Sequence, residues 1–205
     1  MLPEPTLYRL PSYLAYVNIL KSQGVEYVSS TQISKAINID ASQIAKDLSF
    51  LNLRGKTRIG YEVELLAKEL ADFLGFKRRH NAVIMGVGSL GSALLQDSGL
   101  SQYGLNIVAG FDINPAITSK SVGGVNVYHV DELAGLKDAL DVNIGILAVP
   151  VAKAQEAADM LVDNGFGAIW NFTPWNITAP DNVVIQNTSI YAHLAVMYNR
   201  IGANK

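Results

Sequence analysis

Residues 83–91 read Val83-Ile84-Met85-Gly86-Val87-Gly88-Ser89-Leu90-Gly91, an apolar run that breaks into the pattern G-x-G-x-x-G. A strand, a glycine-rich turn and a helix in this order are typical of a dinucleotide site, because the helix N-terminus then faces the phosphates. The first glycine permits the tight turn, the second lets the backbone approach a pyrophosphate, and the third lets the helix pack close to the sheet. A purely structural glycine turn is the alternative.

A carboxylate follows at a suitable distance. Asp112 lies twenty-one residues after Gly91 and ends a second apolar run, residues 107–111. At that strand end it would meet the hydroxyls of an adenosine ribose, which favours NAD over NADP. The sequence therefore predicts a nicotinamide dinucleotide, NADH or NAD, bound by Gly86, Val87, Gly88, Ser89, Leu90, Gly91 and Asp112.

Apolar segments alternate with helical segments from residue 80 onward. The predicted strands are 82–85, 107–111, 126–128, 143–149, 168–172 and 183–186. This pattern predicts a doubly wound parallel sheet of the Rossmann type, whose ligands bind beyond the carboxyl ends of the strands. A proline follows shortly after two of those ends, as prolines that terminate strands often do. We predict in addition that the nicotinamide end is lined by Val149, Pro150, Asn171, Phe172 and Thr173.

Composition limits the possible functions of this 205-residue chain. With 49% hydrophobic and 17% charged residues it is globular, and it is long enough for two modest domains. The absence of cysteine excludes disulfides and thiolate chemistry, and the three histidines have no metal-ligand spacing, so no metal site is predicted. The sequence shows no signal peptide and no run of eighteen apolar residues, which predicts a cytoplasmic protein without a membrane partner.

The first 79 residues are helical and basic, with eleven Lys and Arg against eight Asp and Glu, whereas the remainder has five against ten. An apolar stripe over residues 7–20 predicts a first helix that ends near Gly24. Ser29 and Asp40 each begin a capping-box pattern, which predicts short helices through Ile37 and through Leu51. Two short helices joined by a three-residue turn form a helix-turn-helix.

Residues 54–61 carry cations beside two glycines and suit a hairpin, and a hairpin after a helix-turn-helix is a wing. On the second short helix Ile44, Leu48 and Leu51 face inward, which leaves a polar face for a major groove. The alternative is a small helical domain that binds protein or dimerises. The predicted DNA contacts are Ser42, Gln43, Lys46 and Ser49 on the helix and Arg54, Lys56 and Arg58 in the wing. A fourth helix is predicted over residues 63–74.

Ordered motifs run along nearly the whole chain. They are Arg9-Leu10-Pro11, Tyr13-Leu14, Val28-Ser29-Ser30, Lys46-Asp47-Leu48-Ser49, Gly60-Tyr61, the glycine-rich turn, Phe111-Asp112, Gly123-Gly124-Val125, Ala148-Val149-Pro150 and Asn171-Phe172-Thr173-Pro174. Because these motifs occur together and in this order, the chain resembles the Rex family of redox-sensing transcriptional repressors. The resemblance implies an α/β homodimer that binds operator DNA, senses the NADH to NAD ratio, and releases the DNA when NADH binds.

The same resemblance implies three segments: a winged-helix DNA-binding domain over 1–79, a Rossmann NAD(H)-binding domain over 80–187, and a dimerisation helix over 188–205 that is exchanged between subunits. The apolar positions of the last segment suit that exchange, but they suit a helix packed on its own sheet equally well. They are Ile190, Leu194, Met197 and Ile201.

Four positions depart from the family pattern. An Arg precedes the Lys-Asp pair of the family recognition helix, and Ala45 stands there in this chain. A family network of Arg, Tyr and Asp, which links sensor to DNA domain, falls by motif alignment on Ala15, Asp97 and Ser189. We hypothesise that Asp97 lies near the nicotinamide and flattens or reverses the preference for NADH, because NAD carries one more positive charge. A solvated helix-end residue is the alternative for Asp97.

Two rival functions stay open at this point. The altered positions also suit a Rex-like paralogue that binds a dinucleotide but has lost operator recognition. The added cations Arg54 and Arg58, in contrast, suit a protein that still binds DNA but with weaker sequence specificity. A small NAD- or CoA-binding enzyme is the other rival, although residues 81–205 leave no room for a substrate domain. Its only acid–base candidates are Lys153 and His193, so we predict no catalytic residues and no enzyme.

Overall fold

A computed structural model describes residues 3–203 of the chain. They divide into two compact units between Arg78 and Arg79, each with a hydrophobic core of its own. The first two residues of the predicted segment 1–79 and the last two of 188–205 lie outside the described range. No helix in the described range is long and apolar enough to cross a membrane.

The N-terminal unit is helical with a short antiparallel ribbon. Its described elements are α1 (Glu4–Ser22), β1 (Tyr27–Val28), α2 (Ser30–Ile37), α3 (Ala41–Leu48), β2 (Tyr61–Glu62) and α4 (Val63–Phe73). The ribbon pairs Val28 with Tyr61. The core of the N-terminal unit lies between α1 and α4, with α2 and α3 beside them. Leu10, Val17 and Leu66 are fully buried there.

Side-chain caps explain where the two short helices begin. Ser29 accepts a hydrogen bond from the backbone N–H of Gln32 at 3.2 Å, and Gln32 accepts one in return from the backbone of Ser29 at 2.8 Å. The predicted capping box of α2 is therefore confirmed. Asp40 caps α3 by accepting from the N–H of Ser42 at 2.8 Å. A capping box also requires the side chain of Gln43 to bond back to the backbone of Asp40. This part of the prediction is wrong, because the side chain of Gln43 donates to Asp47 instead.

Helix α3 is one turn shorter than predicted, because it ends at Leu48 and not at Leu51. Beyond Leu48 the backbone tightens into hydrogen bonds between residues three apart, with the N–H of Leu51 donating to the carbonyl of Leu48 at 3.0 Å. Such tight bonds are frequent where a helix ends. Ile44, Leu48 and Leu51 are nevertheless buried, as the sequence predicted.

The C-terminal unit is a central sheet with helices on both faces, which confirms the predicted α/β class. Its described strands are β3 (His80–Met85), β4 (Leu105–Asp112), β5 (Ser121–Val122), β6 (Val125–His129), β7 (Ile144–Leu147), β8 (Ala168–Asn171) and β9 (Val184–Asn187). Its described helices are α5 (Ser89–Gln96), α6 (Gly99–Gln102), α7 (Leu133–Leu136), α8 (Ala154–Asp163) and α9 (Ile190–Ala203). The strand order is β5-β6-β4-β3-β7-β8-β9.

The sheet is parallel except at one edge, where the sequence prediction missed β5. This strand pairs antiparallel with β6 through a two-residue loop, Gly123-Gly124, with φ of 59° and 85°. Two successive residues with positive φ form the tight hairpin turn that glycine tolerates best. The sheet is thus mixed at its edge, and the glycine pair was the available signal.

Alternating residues of β3 are buried on opposite faces of the sheet. Val83 and Met85 pack in one cluster with Phe111, whereas Ala82 and Ile84 pack in another. Burial on both faces requires the continuous apolar strands that the sequence shows. The doubly wound arrangement is confirmed.

Helix α9 begins at Ile190 and has no buried side chain in its described length. Exposed apolar side chains lie along it, including Tyr191, Val196 and Ile201. The alternative in which this helix packs on its own sheet is therefore wrong. Its apolar positions are left for another surface to cover.

Candidate functional site

The glycine-rich turn has the geometry that its motif predicts. Gly86 has φ of +92°, and a Cβ there would lie 2.7 Å from the carbonyl oxygen of Ala148. A Cβ on Gly91 would collide with the carbonyl oxygen of Gly86, so this glycine allows α5 to approach β3. A Cβ on Gly88 would meet nothing within 4 Å. Open space therefore lies at the position where the backbone is to approach a pyrophosphate.

The N-terminus of α5 faces this space. Gly88 is its N-cap residue and supplies no side-chain hydrogen bond. The first N–H groups of a helix need external partners, and together with the helix dipole they favour an anion. Ser89, Leu90 and Gly91 form this first turn, so the donor set fits a pyrophosphate.

Asp112 lies beside the turn at the end of β4. Its Oδ2 accepts a hydrogen bond from the N–H of Val87 at 2.7 Å, and its Oδ1 accepts one from the N–H of Asn114 at 2.8 Å. A carboxylate has room for about four such bonds, so it retains acceptor capacity for ribose hydroxyls. Asp112 thus holds the glycine-rich turn in addition to its predicted role toward the ribose.

A pocket opens at the carboxyl ends of β3, β4 and β7, against the start of α8. Four predicted residues line it: Gly86, Asp112, Val149 and Pro150. The prediction gave the other lining residues no cofactor contact, although it named Lys153 as an acid–base candidate. They are Met85, Phe111, Ile113, Val130, Lys153, Glu156, Ala157 and Met160. Apolar walls around the carboxylate of Asp112 suit an adenine and its ribose, and the second carboxylate of the lining, Glu156, is paired with Lys153.

The two acid–base candidates lie in different surroundings. Lys153 at the pocket is paired with Glu156, with 2.6 Å between Nζ and Oε2. The His193 ring on α9 contacts the backbone carbonyl of Ser189 at 2.8 Å. No hydrogen bond or ion pair described for residues 3–203 joins Lys153 to His193, so they form no acid–base pair there.

The end of β8 is tightly built. Asn171 is fully buried, and its amide donates to the carbonyl of Trp175 at 2.7 Å and to Oδ1 of Asn187 at 2.8 Å. Its Oδ1 accepts from the N–H of Thr173 at 2.9 Å and from its hydroxyl at 2.8 Å. Phe172 packs on Trp170 with ring centroids 4.6 Å apart. Asn171 and Thr173 thus shape this strand end through contacts with each other.

Two of the positions that depart from the family pattern make local hydrogen bonds at helix ends. Asp97 ends α5 and accepts a hydrogen bond from the N–H of Leu100 at 2.8 Å, in an exposed position away from the pocket lining. Ser189 caps α9 by accepting from the N–H of Ala192 at 3.2 Å. Ala15 is exposed on α1. Asp97 thus has the local hydrogen bond of a helix-end residue, and its relation to the nicotinamide stays a prediction.

The outer face of α3 is polar, as the sequence predicted. Ser42, Lys46 and Ser49 are exposed on it, and Ala45 is half-buried. Gln43 differs, since it is half-buried and its Nε2 donates to Oδ1 of Asp47 at 2.9 Å. This bond fixes the position of Gln43 at the edge of the face.

Asp47 has no exposed surface and is surrounded by donors. Arg9 donates from Nε at 2.6 Å and from Nη2 at 2.8 Å, the hydroxyl of Tyr13 donates at 2.7 Å, and that of Thr6 at 2.9 Å. Burial alone would raise the pKa of Asp47, but these hydrogen bonds hold it well below its usual range. Burial and the bond to Asp47 raise the pKa of Tyr13.

Sequence reasoning missed this network. Helical spacing was the available signal, because Asp47 lies three residues after Ile44 on the inward side of α3. The carboxylate of Asp47 is paired with the Arg9 guanidinium inside the unit. Because the pair removes one charge of each sign, the balance of the remaining charges of this unit is unchanged.

The predicted wing is smaller than a full hairpin. Its described residues form one antiparallel β-bridge, between Lys56 and Gly60, and the next strand, β2, pairs with β1 instead. Lys56 is exposed, and its ammonium donates to the hydroxyl of Tyr27 at 2.6 Å, which raises the pKa of Lys56. Arg54 and Arg58 are also exposed, and Arg58 has φ of +66°. The three predicted wing cations thus lie on one short exposed loop.

Comparison with family models matches both units. Residues 1–49 match the family described as "Putative DNA-binding protein N-terminus", and residues 77–175 match the CoA binding domain. These matches coincide with the helix-turn-helix and with the glycine-rich sheet.

Relatives of known name match over nearly the whole length. The chain is 56% identical over 203 residues to the redox-sensing transcriptional repressor Rex of Bacteroides thetaiotaomicron, covering 99% of this chain and 92% of that protein. It is 55% identical over 199 residues to the protein of the same name from Porphyromonas gingivalis, covering 97% and 91%.

Two solved structures share the fold throughout. RSP in complex with beta-NAD+ and operator DNA has a TM-score of 0.94 at 32% identity, covering 100% of this chain and 94% of that one. RSP in complex with beta-NADH has a TM-score of 0.88 at 33% identity, covering 100% and 96%.

Proposed function

Because the chain belongs to the Rex family of redox-sensing transcriptional repressors, we propose that it represses transcription by binding operator DNA and leaves the DNA when it binds NADH. The observation that carries this proposal is the open N-terminus of α5 beside Asp112, in a chain that also has a helix-turn-helix. One unit is built to bind a dinucleotide and the other to bind DNA.

The cofactor is held by the glycine-rich turn and by the two strand ends beyond it. Backbone N–H groups of α5 bind the pyrophosphate, and Asp112 accepts from the ribose hydroxyls. The nicotinamide ring supplies the redox signal, since its oxidised form carries one more positive charge than its reduced form. The proposed contacts remain Gly86, Val87, Gly88, Ser89, Leu90, Gly91, Asp112, Val149, Pro150, Asn171, Phe172 and Thr173.

The DNA contacts come from the outer face of α3 and from the wing. Lys46 and the exposed serines reach base edges and phosphates, and Gln43 is held in place by Asp47. The wing cations neutralise the neighbouring phosphates, which makes part of the affinity independent of sequence. The proposed set is Ser42, Gln43, Lys46, Ser49, Arg54, Lys56 and Arg58.

We propose a homodimer through α9 because the apolar side chains of this helix are uncovered within one chain. A second copy offers the same surface, so the contact closes on itself. Exchange of this helix between subunits is the arrangement that we expect. We propose that the chain acts as a regulator in the cytoplasm and not as an enzyme, in line with the names of its relatives.

A second candidate is a paralogue that binds the dinucleotide but not an operator. Ala45 favours it, because a methyl group on α3 stands where the family has an Arg that contacts bases or phosphate. The exposed Arg54 and Arg58 favour the repressor, since they supply positive charge in the same unit.

One binding experiment separates the two candidates. Fluorescence anisotropy on a promoter fragment from the protein's own locus is measured without ligand, with NAD and with NADH, at two salt concentrations. Tight binding that NADH selectively weakens establishes the repressor. Absence of specific binding, with nucleotide binding confirmed by a separate titration, overturns it in favour of the paralogue.

A further inference from the structure

Little holds helix α9 to its own unit. None of its described side chains is buried, so its direction is set by residues 187–189, through which β9 enters it. Two hydrogen bonds secure this entry. The N–H of Thr188 donates to the carbonyl of Asn171 at 2.8 Å, and Nε1 of Trp170 donates to Oγ1 of Thr188 at 2.9 Å. Both partners belong to β8, whose end is the proposed nicotinamide side.

A third bond comes from Asn187, the last residue of β9. Its Oδ1 accepts from the amide of the buried Asn171 at 2.8 Å. The other side of the same amide group accepts both bonds from Thr173. One planar amide therefore joins Thr173, in the proposed nicotinamide contact, to Asn187, three residues before α9.

Every polar atom of the Asn171 amide is already hydrogen-bonded. Asn171 is fully buried and uses both its nitrogen and its oxygen, and no buried side-chain polar atom in the described residues lacks a partner. A bound ring that displaces Thr173 must rotate the amide or break a buried hydrogen bond, and the latter is costly. Rotation of the amide shifts the acceptor position that Asn187 requires.

We propose that Asn187 is a positioning residue that transmits the state of the nicotinamide pocket to α9. The inference rests on the proposed function, because it assumes that NADH binding at β8 and DNA release are coupled. It places the coupling in a contiguous chain from Thr173 through Asn171 to Asn187, within a unit whose family relay positions hold Asp97 and Ser189 instead. Coupling between sites needs such an element with two arrangements.

The test measures the coupling and not affinity alone. DNA affinity of the full-length wild type, Asn187→Ala, Asn187→Asp and Asn126→Ala is measured by anisotropy without ligand and at saturating NADH. Asn187→Asp keeps the acceptor oxygen, and Asn126→Ala makes the same truncation at an exposed strand position of β6. The coupling is the ratio of the DNA Kd at saturating NADH to the DNA Kd without ligand. Because NADH is saturating, moderate changes in NADH affinity do not affect this ratio.

We expect the wild-type ratio to be about tenfold or more, within the usual range of allosteric coupling. Asn187→Ala should reduce it to about threefold or less while its ligand-free DNA affinity stays at the wild-type value. Asn187→Asp and Asn126→Ala should keep the wild-type ratio.

A wild-type ratio in Asn187→Ala overturns the inference and leaves the proposed function standing. A fall in its ligand-free DNA affinity overturns it as well, since that result indicates a general structural role. If the wild type itself is not released by NADH, the proposed function fails first and the inference fails with it.

Discussion

The guanidinium of Arg9 on α1 meets the fully buried carboxylate of Asp47 on α3, with Nε 2.6 Å and Nη2 2.8 Å from its oxygens. This bidentate pair ties the proposed recognition helix to the first helix of the chain. Two parallel N–H···O bonds fix orientation as well as distance. The angle at which α3 presents Lys46 is therefore set inside the unit.

Removing the carboxylate of Asp47 should lower the free energy of unfolding of the N-terminal unit. Asp47→Ala leaves Arg9, Tyr13, Thr6 and Gln43 without their shared acceptor, and we expect a loss of about 3 kcal/mol of unfolding free energy. Urea denaturation followed by circular dichroism measures it. The matched control is Asp72→Ala, which removes an exposed pair with Lys77 and should cost less than about 1 kcal/mol. Equal effects of the two substitutions would contradict the prediction.

The same carboxylate predicts a dependence of stability on pH. The pKa of Asp47 is lower in the folded chain than in the unfolded one, so its contribution is complete above the unfolded pKa of about 3.9 and is lost as pH falls below it. We expect the stability advantage of the wild type over Asp47→Asn to fall by up to about 1.4 kcal/mol per pH unit below that value. Urea midpoints between pH 7 and pH 3 measure the difference, and a constant advantage would refute this origin.

Arg58 combines a positive charge with a strained backbone. Its φ of +66° is uncommon for a residue with a Cβ, and we expect Arg58→Gly to raise stability by about 1 kcal/mol. Both Arg58→Gly and Arg58→Ala should weaken binding to all DNA sequences similarly and should lower the salt slope by about one. Only the glycine variant should gain stability. A loss of binding confined to the operator would show that Arg58 reads bases.

Two glycines of the same motif should respond differently to an added methyl group. Gly91→Ala forces α5 away from the carbonyl of Gly86, so both the Tm and NADH affinity should fall. Gly88→Ala meets no protein atom within 4 Å, so the Tm should stay while NADH affinity drops by about tenfold or more, because the methyl group occupies the space of the pyrophosphate. Differential scanning fluorimetry and NADH fluorescence titration measure both quantities. Wild-type affinity in Gly88→Ala would place the pyrophosphate elsewhere.

Local pattern was sufficient for most of the fold and for the centre of the site. The apolar strands, the glycine spacing and the box at Ser29 each depend on neighbours in the chain, and all were predicted from them. Sequence reasoning went wrong where a side chain had more than one possible hydrogen-bond partner. Gln43 was assigned to a capping box, but its side chain donates to Asp47. The DNA contact of Lys56 stays a prediction, and the sequence did not reveal the hydrogen bond of Lys56 to Tyr27.

The sequence by itself determined a helix-turn-helix followed by a doubly wound sheet, and it placed Gly86 and Asp112 at the carboxyl ends of two strands. Those features follow from periodicity and turn chemistry, which act over a few residues. Only the tertiary structure decided that Asp47 is buried against Arg9, that Asp112 binds the backbone of Val87, and that Asn171 joins Thr173 to Asn187. The physical reason is that a polar side chain can bond equally to water or to a partner remote in sequence, and packing alone selects between them.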